Sequence, residues 1–566
     1  MSGAWPMNMP RGLDYPPVGV DAVLAGAARA YPERVAVRDG DETLTYPELY
    51  EQALRVAGGL RGRGIRPGDV VALHMPNSMW FTVAYYGALC AGAAVAPINP
   101  AQPALVLGEQ LAEVTAKAVI TSPAGAGTAV EATAGAASSV ELVVCVPPTA
   151  AAPARSQPRR GLVELAELLS AEPLRDYRVD AEMVAHLQLT GGTTGRAKAV
   201  RVLHRNIVAN VVQMHGWRSA CLPHLDDEGG LRFTRIPEAV TAHSLTPGDC
   251  VCVAVAPLFH GLGLVSQSLN VAAGATVVIA GRFDPDALFA DIERYGVTHM
   301  GGSPAMYYAM LRSPALTKHD LSSVRLVNSG AAPIDTTALH TLSEHFPRAF
   351  VAQGYGLSEA TMGVTGAPLA CDVETPPDSV GVPVFDTEIQ IRGADGTAVL
   401  PVGETGEVWV RGPAVADGYH GHPELTALQF RDGWLVTGDM GRLDEHGHLF
   451  LVGRSKDLII YKGYNVYPQP LEEILCSHPA IAQAAVVGTP SESAGEVPVG
   501  FVVLRPDVAE EAGRGDEFAE EVMAYVAERV APYQKVRALH IVGALPLSPT
   551  GKILKTELRE RGNADD

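Results

Sequence analysis

What this chain has little of narrows its function first. Its 566 residues include seven cysteines, with no CxxC pair and no Cys/His spacing that would hold zinc, so neither a disulfide framework nor a zinc module is expected. Unpaired thiols suit a reducing compartment, and the expectation is a cytoplasmic protein. Positive charge is scarce: 43 Lys and Arg stand against 63 Asp and Glu, a formal net charge of −20. That balance argues against nucleic acid and anionic membranes as partners, and any anion site must gather its cations locally. Long apolar runs are also missing. The most apolar window, Phe81–Ile98, is interrupted by Tyr85, Tyr86 and glycines; it reads as a buried helix running into a strand, not a membrane span. The opening MSGAWPMNMPRGLDYPP carries no apolar core of the kind a secretory signal needs, and no internal repeat is visible.

What is there is a globular composition, 47% hydrophobic and 19% charged, in a chain too long for one core. From Val35 onward short apolar strands alternate with helix-patterned stretches. The pattern predicts strands at Val35–Arg38, Val70–Leu73, Ala118–Ile120, Leu142–Val146, Val251–Ala256, Ala275–Ile279 and Leu326–Asn328, and a helix over Tyr46–Arg63. This is an α/β class with largely parallel, helix-covered sheets. Ala150–Arg160 reads as a surface loop. His215–Gly248, with PHLDDEGG inside it, reads as a long polar excursion, a solvated acidic loop in preference to a metal site. A second boundary falls near Gly453–Asp457. Turn-rich β segments such as Glu407–Arg411 end there, and a fresh pattern begins: helix Leu471–His478, strands Ile481–Val487 and Val497–Leu504, helix Glu517–Val530 and a lysine-bearing tail. The chain thus divides into residues 1–453 and a C-terminal domain over 457–566, a usual domain size.

The densest glycine and hydroxyl stretch, TGGTTGRAKAV (Thr190–Val200), follows the strand-like VAHLQL (Val184–Leu189). Successive backbone N–H groups in such a turn form a concave donor set for phosphate oxygens. Thr190, Thr193 and Thr194 add hydroxyls, and Lys198 adds a cation. A Walker loop is excluded, because it ends in Gly-Lys-Ser/Thr and this one in Ala197-Lys198-Ala199. A flexible turn with no ligand is the competing reading. QGYGLSEAT (Gln353–Thr361) places a tyrosine, a hydroxyl and a carboxylate on one short turn, and Glu359 suits Mg²⁺, which prefers carboxylates plus substrate phosphates. WLVTGDMG (Trp434–Gly441) sets Asp439 after a strand and a tight turn, where a carboxylate can accept both ribose hydroxyls. GRSKDLIIYKGYNVYP (Gly453–Pro468) supplies Arg454, whose fork suits ribose hydroxyls or phosphate. LPLSPTGKILK (Leu545–Lys555) supplies Lys552. Singly, each has a plainer reading: Glu359 as a helix-start acid, Asp439 as a turn former, Lys552 as a solvated lysine.

In this order the motifs resemble the AMP-forming adenylating superfamily of acyl-CoA synthetases, 4-coumarate ligases, beetle luciferases and peptide-synthetase adenylation domains. PLFHGLGL (Pro257–Leu264), NSGAAPI (Asn328–Ile334), VGETGEVWVRG (Val402–Gly412), TGDMG, GRSKDLI and TGKI fall in the family's order, and the likeness runs from about Tyr46 to Leu558. The resemblance implies a large N-terminal domain of two helix-covered β-sheets plus a small β-barrel, and a small mobile α+β C-terminal domain. It also implies roles. Thr190, Gly191, Gly192, Thr193, Thr194, Gly195 and Lys198 would cradle the outer phosphates of ATP. Gly330, Ala331, Ala332, Gln353, Gly354 and Tyr355 would line the adenine pocket. Ser358, where relatives usually carry Thr, would touch the α-phosphate, and Glu359 would bind Mg²⁺. Asp439 and Arg454 would hold the ribose, and Lys552 would bridge the carboxylate and the α-phosphate. Lys456 takes the hinge position, and Lys462 and Gly463 lie in the loop that meets a pantetheine arm. His260 would gate the acid, a packed core histidine being the plainer reading.

The implied reaction is ATP-dependent activation of a small carboxylic acid to an acyl-adenylate, then transfer to a pantetheine thiol, either coenzyme A or a carrier protein. PLFHGLGL lacks the aspartate that peptide-synthetase domains use for an α-amino group, so a free α-amino acid is a poor substrate. No cation stands ready for a second carboxylate, and an aromatic or medium-chain acid is the expectation. The chain departs from the family at Ala197 and Ala199, which flank the loop lysine, and at Pro470, where a Glu is usual. Other readings stay open: transfer to an amine or oxygen, activation of nitrite for diazotisation, or an inactive ATP-binding relative acting as a sensor or docking protein.

Overall fold

The computed structural model describes residues 4–135, 138–149, 162–190, 198–393, 395–491, 493–505, 508, 515–548 and 553–564. Among these, one sheet runs Val163–Glu164, Leu142–Cys145, Ala118–Thr121, Val70–His74, Ala94–Pro97, Val184–Thr190, Lys198–Leu203. Every neighbouring pair is parallel except the last, in which Thr190 stands opposite Lys198 in an antiparallel hairpin. The central strands Val70–His74, Ala94–Pro97 and Ala118–Thr121 are buried at every position, as expected for parallel strands covered on both faces.

A second sheet orders Val251–Ala254, Thr276–Ile279, Val35–Asp39 and Glu42–Thr45. The Thr298 N–H donates to Val251 O (2.8 Å) and so joins it to a third, parallel set: His299–Gly302, Leu326–Ser329 and Phe350–Gln353. The helix Met79–Cys90 starts where the Ser78 hydroxyl accepts from the Phe81 N–H, a side-chain N-cap. It is buried almost all round. Its Tyr85 hydroxyl reaches His186 Nε2 (2.8 Å) and Ser268 Oγ (3.4 Å), tying the strand that enters the glycine-rich loop to the helix Gly261–Ala272. The expected helix-then-strand reading of Phe81–Ile98 is observed, as Met79–Cys90 followed by Ala94–Pro97. Among the described residues no helix is long and apolar enough to cross a membrane.

Beyond residue 380, Glu388–Arg392, Gly406–Arg411, Phe430–Arg431, Trp434–Leu443 and Leu449–Arg454 form an antiparallel sheet. After a short turn at Ser455–Asp457 a separate sheet follows: Ile459–Tyr461, Tyr464–Val466, Ile481–Ser491, Gly495–Leu504 and Ala538–Ile541. Helix Pro468–Cys476 covers it. Pro470 lies in that helix's first turn, where a missing N–H costs no intrahelical bond.

One expectation is corrected. His215–Gly248 is not a solvated loop throughout. The helix His204–Ser219 extends into it, and Cys221–Leu225 pairs antiparallel with Leu231–Arg235 around the DDEGG turn. Within the acidic turn Asp226 accepts two hydrogen bonds from Arg29, each 2.8 Å, while Asp227 and Glu228 are exposed, as expected of a solvated acidic turn. The strand content was hidden because His224, Arg232 and Thr234 share one face of a two-strand ribbon and Pro223 interrupts the apolar run of the other. Ala150–Arg160 lies outside the described residues.

His74, His186, His204, His215 and His299 are among the buried histidines. Burial pushes their pKa values down, to about 4 for His74 and about 3 for the others. In the unfolded chain each protonates near 6.5. The native state binds fewer protons, so stability is full above pH 6.5 and falls as the pH drops toward 4, by about 1.4 kcal/mol per pH unit for each histidine. Thermal unfolding across that window should show a steeply falling Tm; a flat Tm contradicts neutral burial.

Candidate active site

The parallel strands His299–Gly302, Leu326–Ser329 and Phe350–Gln353 run in register, so Gly302, Ser329 and Gln353 end side by side. Crevices outside such carboxyl ends are where open parallel sheets bind ligands. The Gly330 N–H donates to Gly302 O and the Gly354 N–H to Ser329 O, both at 3.0 Å, which lays the segments Gly330–Ala332 and Gly354–Tyr355 along this edge. A Cβ on Gly301 would meet nothing within 4 Å, and one on Gly330 only Gly354 O at 3.9 Å, so both glycines leave open space. Ala331 has φ +69°, a left-handed conformation that costs a residue with a Cβ free energy and concentrates at functional sites. Gln353 Nε2 donates to Pro377 O (3.0 Å).

Asp439 comes from the next sheet. It sits in strand Trp434–Leu443, directly opposite Arg454 of Leu449–Arg454. One carboxylate oxygen accepts from Arg454 Nε (2.9 Å) and the other from the Tyr355 hydroxyl (2.6 Å). Its backbone N–H donates to Thr437 Oγ1 (3.0 Å). Asp439 is 6% exposed, while the Arg454 side chain is 45% exposed and able to reach outward. The Asp439 carboxylate raises the Arg454 pKa further. Burial, then Asp439, pushes the Tyr355 phenol well above its ordinary range, so it stays a donor.

Glu359 lies on the short turn Ser358–Ala360. Its Oε1 accepts from the Tyr419 hydroxyl (2.8 Å) and its carbonyl from the Ala416 N–H (2.9 Å). The segment Asp417–His420 in turn pairs with strand Lys198–Leu203: Val200 bridges Tyr419, and the His420 N–H donates to Ala199 O (2.8 Å). Glu359 is thereby fixed beside the hairpin whose ends are Thr190 and Lys198, with Thr190 Oγ1 donating to Lys198 O (3.3 Å). Thr361 closes the Glu359 turn at φ +67° and donates its hydroxyl to Ala414 O (2.6 Å). A left-handed β-branched residue is rare, and the adjoining contacts hold it there. On the opposite side, a Cβ on Gly261 would lie 3.7 Å from Ser358 Oγ. This brings His260, the N-cap of helix Gly261–Ala272, to the same place; its Nδ1 accepts from the Leu262 N–H (3.4 Å).

Tyr419 was missed at the sequence level. It lies in a loop sixty residues from Glu359, and only the pairing with Lys198–Leu203 joins the two. Burial, then Glu359, pushes its phenol well above the ordinary range. Removing that hydroxyl takes one charge-assisted hydrogen bond, about 1.5–3 kcal/mol, from the carboxylate. Tyr419→Phe should therefore lower kcat/KM for ATP about tenfold or more, read by AMP release, with a Tm close to wild type. An unchanged kcat/KM would remove Tyr419 from the site.

Other predicted residues stand apart. Lys456 lies in the exposed turn Ser455–Asp457 between the two sheets, where Asp457 accepts from Arg559 (2.7 Å). Lys462 and Gly463, at φ +49° and +84°, form the two-residue turn of the hairpin Ile459–Val466, the geometry of a type I′ turn. The Lys462 N–H donates to Ala494 O (2.8 Å), within the C-terminal sheet. Gly191, Gly192, Thr193, Thr194, Gly195 and Lys552 lie outside the described residues.

The donor set around Glu359 fits Mg²⁺. Among the described residues no three His, Cys, Asp or Glu are grouped to cage a metal, and a single carboxylate beside a serine hydroxyl suits a hard cation that takes its other ligands from phosphates and water.

Comparison with known proteins gives the same reading. The model of the AMP-binding enzyme family matches residues 24–420, and that of the AMP-binding enzyme C-terminal domain matches 470–552. A 4-coumarate–CoA ligase of Oryza sativa subsp. japonica is 34% identical, over 94% of this chain and 92% of its own. A long-chain-fatty-acid–CoA ligase of Bacillus subtilis is 30% identical, over 98% of this chain and 97% of its own. The ATP-bound crystal structure of MatB from Rhodopseudomonas palustris superposes with a TM-score of 0.80 at 26% identity, covering 96% of this chain and 99% of that one. With the family model matched over residues 24–420 and a 4-coumarate–CoA ligase 34% identical over 94% of the chain, the chain belongs to the AMP-binding enzyme family and is an AMP-forming acid–thiol ligase.

Proposed function

We propose that the protein activates an aromatic or medium-chain carboxylic acid to its acyl-adenylate and passes the acyl group to coenzyme A. The observation that carries this reading is the convergence of Glu359, Asp439 and the hairpin ends Thr190 and Lys198 on the strand-end edge at Gly302, Ser329 and Gln353. A carboxylate oxygen attacks the α-phosphorus of ATP and pyrophosphate leaves; the pantetheine thiolate then attacks the acyl carbon and AMP leaves. Both partners of the first step are anions, so the chain must place positive charge and donors where charge develops. In this assignment Thr190–Lys198 receives the outer phosphates, Asp439 and Arg454 the ribose, Ser358 the α-phosphate, and His260 flanks the acid. Mg²⁺ held by Glu359 would supply charge neutralisation at the phosphates. Residues 1–453 bind both substrates. Residues 457–566 form a moving domain that presents Lys552 for the first step and Lys462 and Gly463 to the pantetheine arm for the second, with Lys456 at the pivot.

The test is ATP–pyrophosphate exchange without acid, with an acid panel, and then intact-mass detection of a CoA thioester. Acid-dependent exchange followed by thioester supports the proposal. Exchange without thioester moves the acceptor to a carrier protein or a non-thiol nucleophile, and ATP binding without exchange for any acid makes the protein a sensor.

A further inference from the structure

Between the strand Val251–Ala254 and the helix Gly261–Ala272, residues 255–260 lie in no helix or strand, and this segment delivers His260 and Gly261 to Ser358. The backbone groups of such a segment need partners outside any ladder. Asn77 supplies three of them. Its Nδ2 donates to Ala254 O and Ala256 O, both at 3.0 Å, and its Oδ1 accepts from the Leu258 N–H (2.8 Å). Gln188 Nε2 donates to Phe259 O (3.3 Å). Asn77 follows the strand Val70–His74 and Gln188 lies in Val184–Thr190, so side-chain amides from the first sheet hold the segment that leaves the second. At Asn77 only an amide serves. Carbonyls accept and N–H groups donate, so a carboxylate of the same shape could meet one of the three partners but not the other two.

Asn77 stands on a fixed turn. An asparagine just ahead of a helix commonly serves as its N-cap, but helix Met79–Cys90 is capped by the Ser78 hydroxyl, and the Met79 N–H donates to Asp39 Oδ2 (3.1 Å). Ser78 and Asp39 are both buried. The turn is therefore held without the Asn77 side chain, whose amide is left to reach across to the second sheet. The other end of the segment is tied to the helix. The His260 N–H donates to Pro257 O (3.0 Å) and the Leu264 N–H to His260 O (2.8 Å). A Cβ on Gly263 would stand 2.2 Å from Pro257 O, so the helix start packs directly on that carbonyl. A shift of Ala256 or Leu258 is thus passed on to His260. Asn77 is separated from these partners by 177 to 181 positions in the chain, and nothing in its local sequence marks it.

We infer that Asn77 is a positioning residue for acid activation: through Ala254, Ala256 and Leu258 it sets the place of His260 beside the reacting carboxylate, and it touches neither substrate. This rests on the proposed function, in which His260 flanks the acid. The nucleotide is held by other elements, so the Asn77 amide governs use of the acid and leaves ATP binding alone.

The test uses whichever of cinnamic and octanoic acid the wild type uses better, with kcat/KM for the acid read by AMP release and ATP binding without acid read by calorimetry. Asn77→Ala and Asn77→Asp should each lower kcat/KM for the acid by about 10–10²-fold, the scale of loss when a group beside the chemistry is displaced by about an ångström. The Kd for ATP should stay at the wild-type value. His260→Ala should lower the same constant. The double variant Asn77→Ala/His260→Ala should lose no more than the worse of the two single variants, because residues that act through one another are not additive. Losses that multiply in the double variant, or wild-type acid use by either Asn77 variant, overturn the inference and leave the adenylation reading standing. So does loss of ATP binding in both Asn77 variants, which makes Asn77 a residue of the fold as a whole. Wild-type acid use by His260→Ala removes His260 from the acid and this inference with it. No acid-dependent AMP release from the wild type with either acid sinks the proposed function itself.

Discussion

Lys552→Ala is expected to lower acyl-adenylate formation by about 10²–10³-fold, the usual cost of removing a charge that acts where charge develops, while conversion of a supplied acyl-adenylate to thioester stays near wild type. The asymmetry follows from the two half-reactions. The first joins two anions and needs a cation at the point of attack. The second brings in a thiolate, and the anhydride already carries its leaving group. Lys552 lies outside the described residues, but its flanks are anchored: Leu547 bridges Ile553, the Leu554 N–H donates to Pro546 O (2.9 Å), and Lys555 pairs with Glu472 (2.6 Å). Substituting Lys552 leaves those contacts in place, so the variant should fold. Single-turnover assays with ATP plus acid, and separately with the adenylate plus CoA, measure the two steps. Equal loss in both would refute the assigned role.

Substitution of Asp439 should act on ATP binding. Asp439→Asn keeps the side-chain shape and an acceptor for the Tyr355 hydroxyl but removes the charge that faces Arg454. The expected loss is about 2–3 kcal/mol in kcat/KM for ATP, roughly 10²-fold, with little change in Tm because Arg454 is half-exposed and can turn to water. Asp439→Ala should lose as much activity and also destabilise the fold by about 1–3 kcal/mol, since the Tyr355 phenol is buried and would have no acceptor there. ATP titrations and thermal unfolding of both variants separate the two effects. A wild-type response to ATP in Asp439→Asn would remove this carboxylate from the ribose.

Much of this architecture was readable because its strands are short, apolar and closed by turns. Val70–His74 and Leu326–Ser329 came within one residue of their predicted ends, since parallel strands covered on both faces show as unbroken apolar runs. Asp439 and Arg454 were read separately, and the structure makes them cross-strand partners. What the sequence hid depends on contacts between distant segments. Tyr419 reaches Glu359 only because its loop adds to the edge of Lys198–Leu203. The ribbon Cys221–Arg235 was hidden for a different reason: with one face outward, its polar residues imitate a loop.

The most direct test of the account follows the oxygen of the acid. With carboxylate labelled in heavy oxygen, ATP and CoA, attack on the α-phosphorus transfers one acid oxygen to the nucleotide. The account predicts AMP carrying a single labelled oxygen and unlabelled pyrophosphate. Label in orthophosphate with ADP as the nucleotide product, or AMP without label, would contradict it.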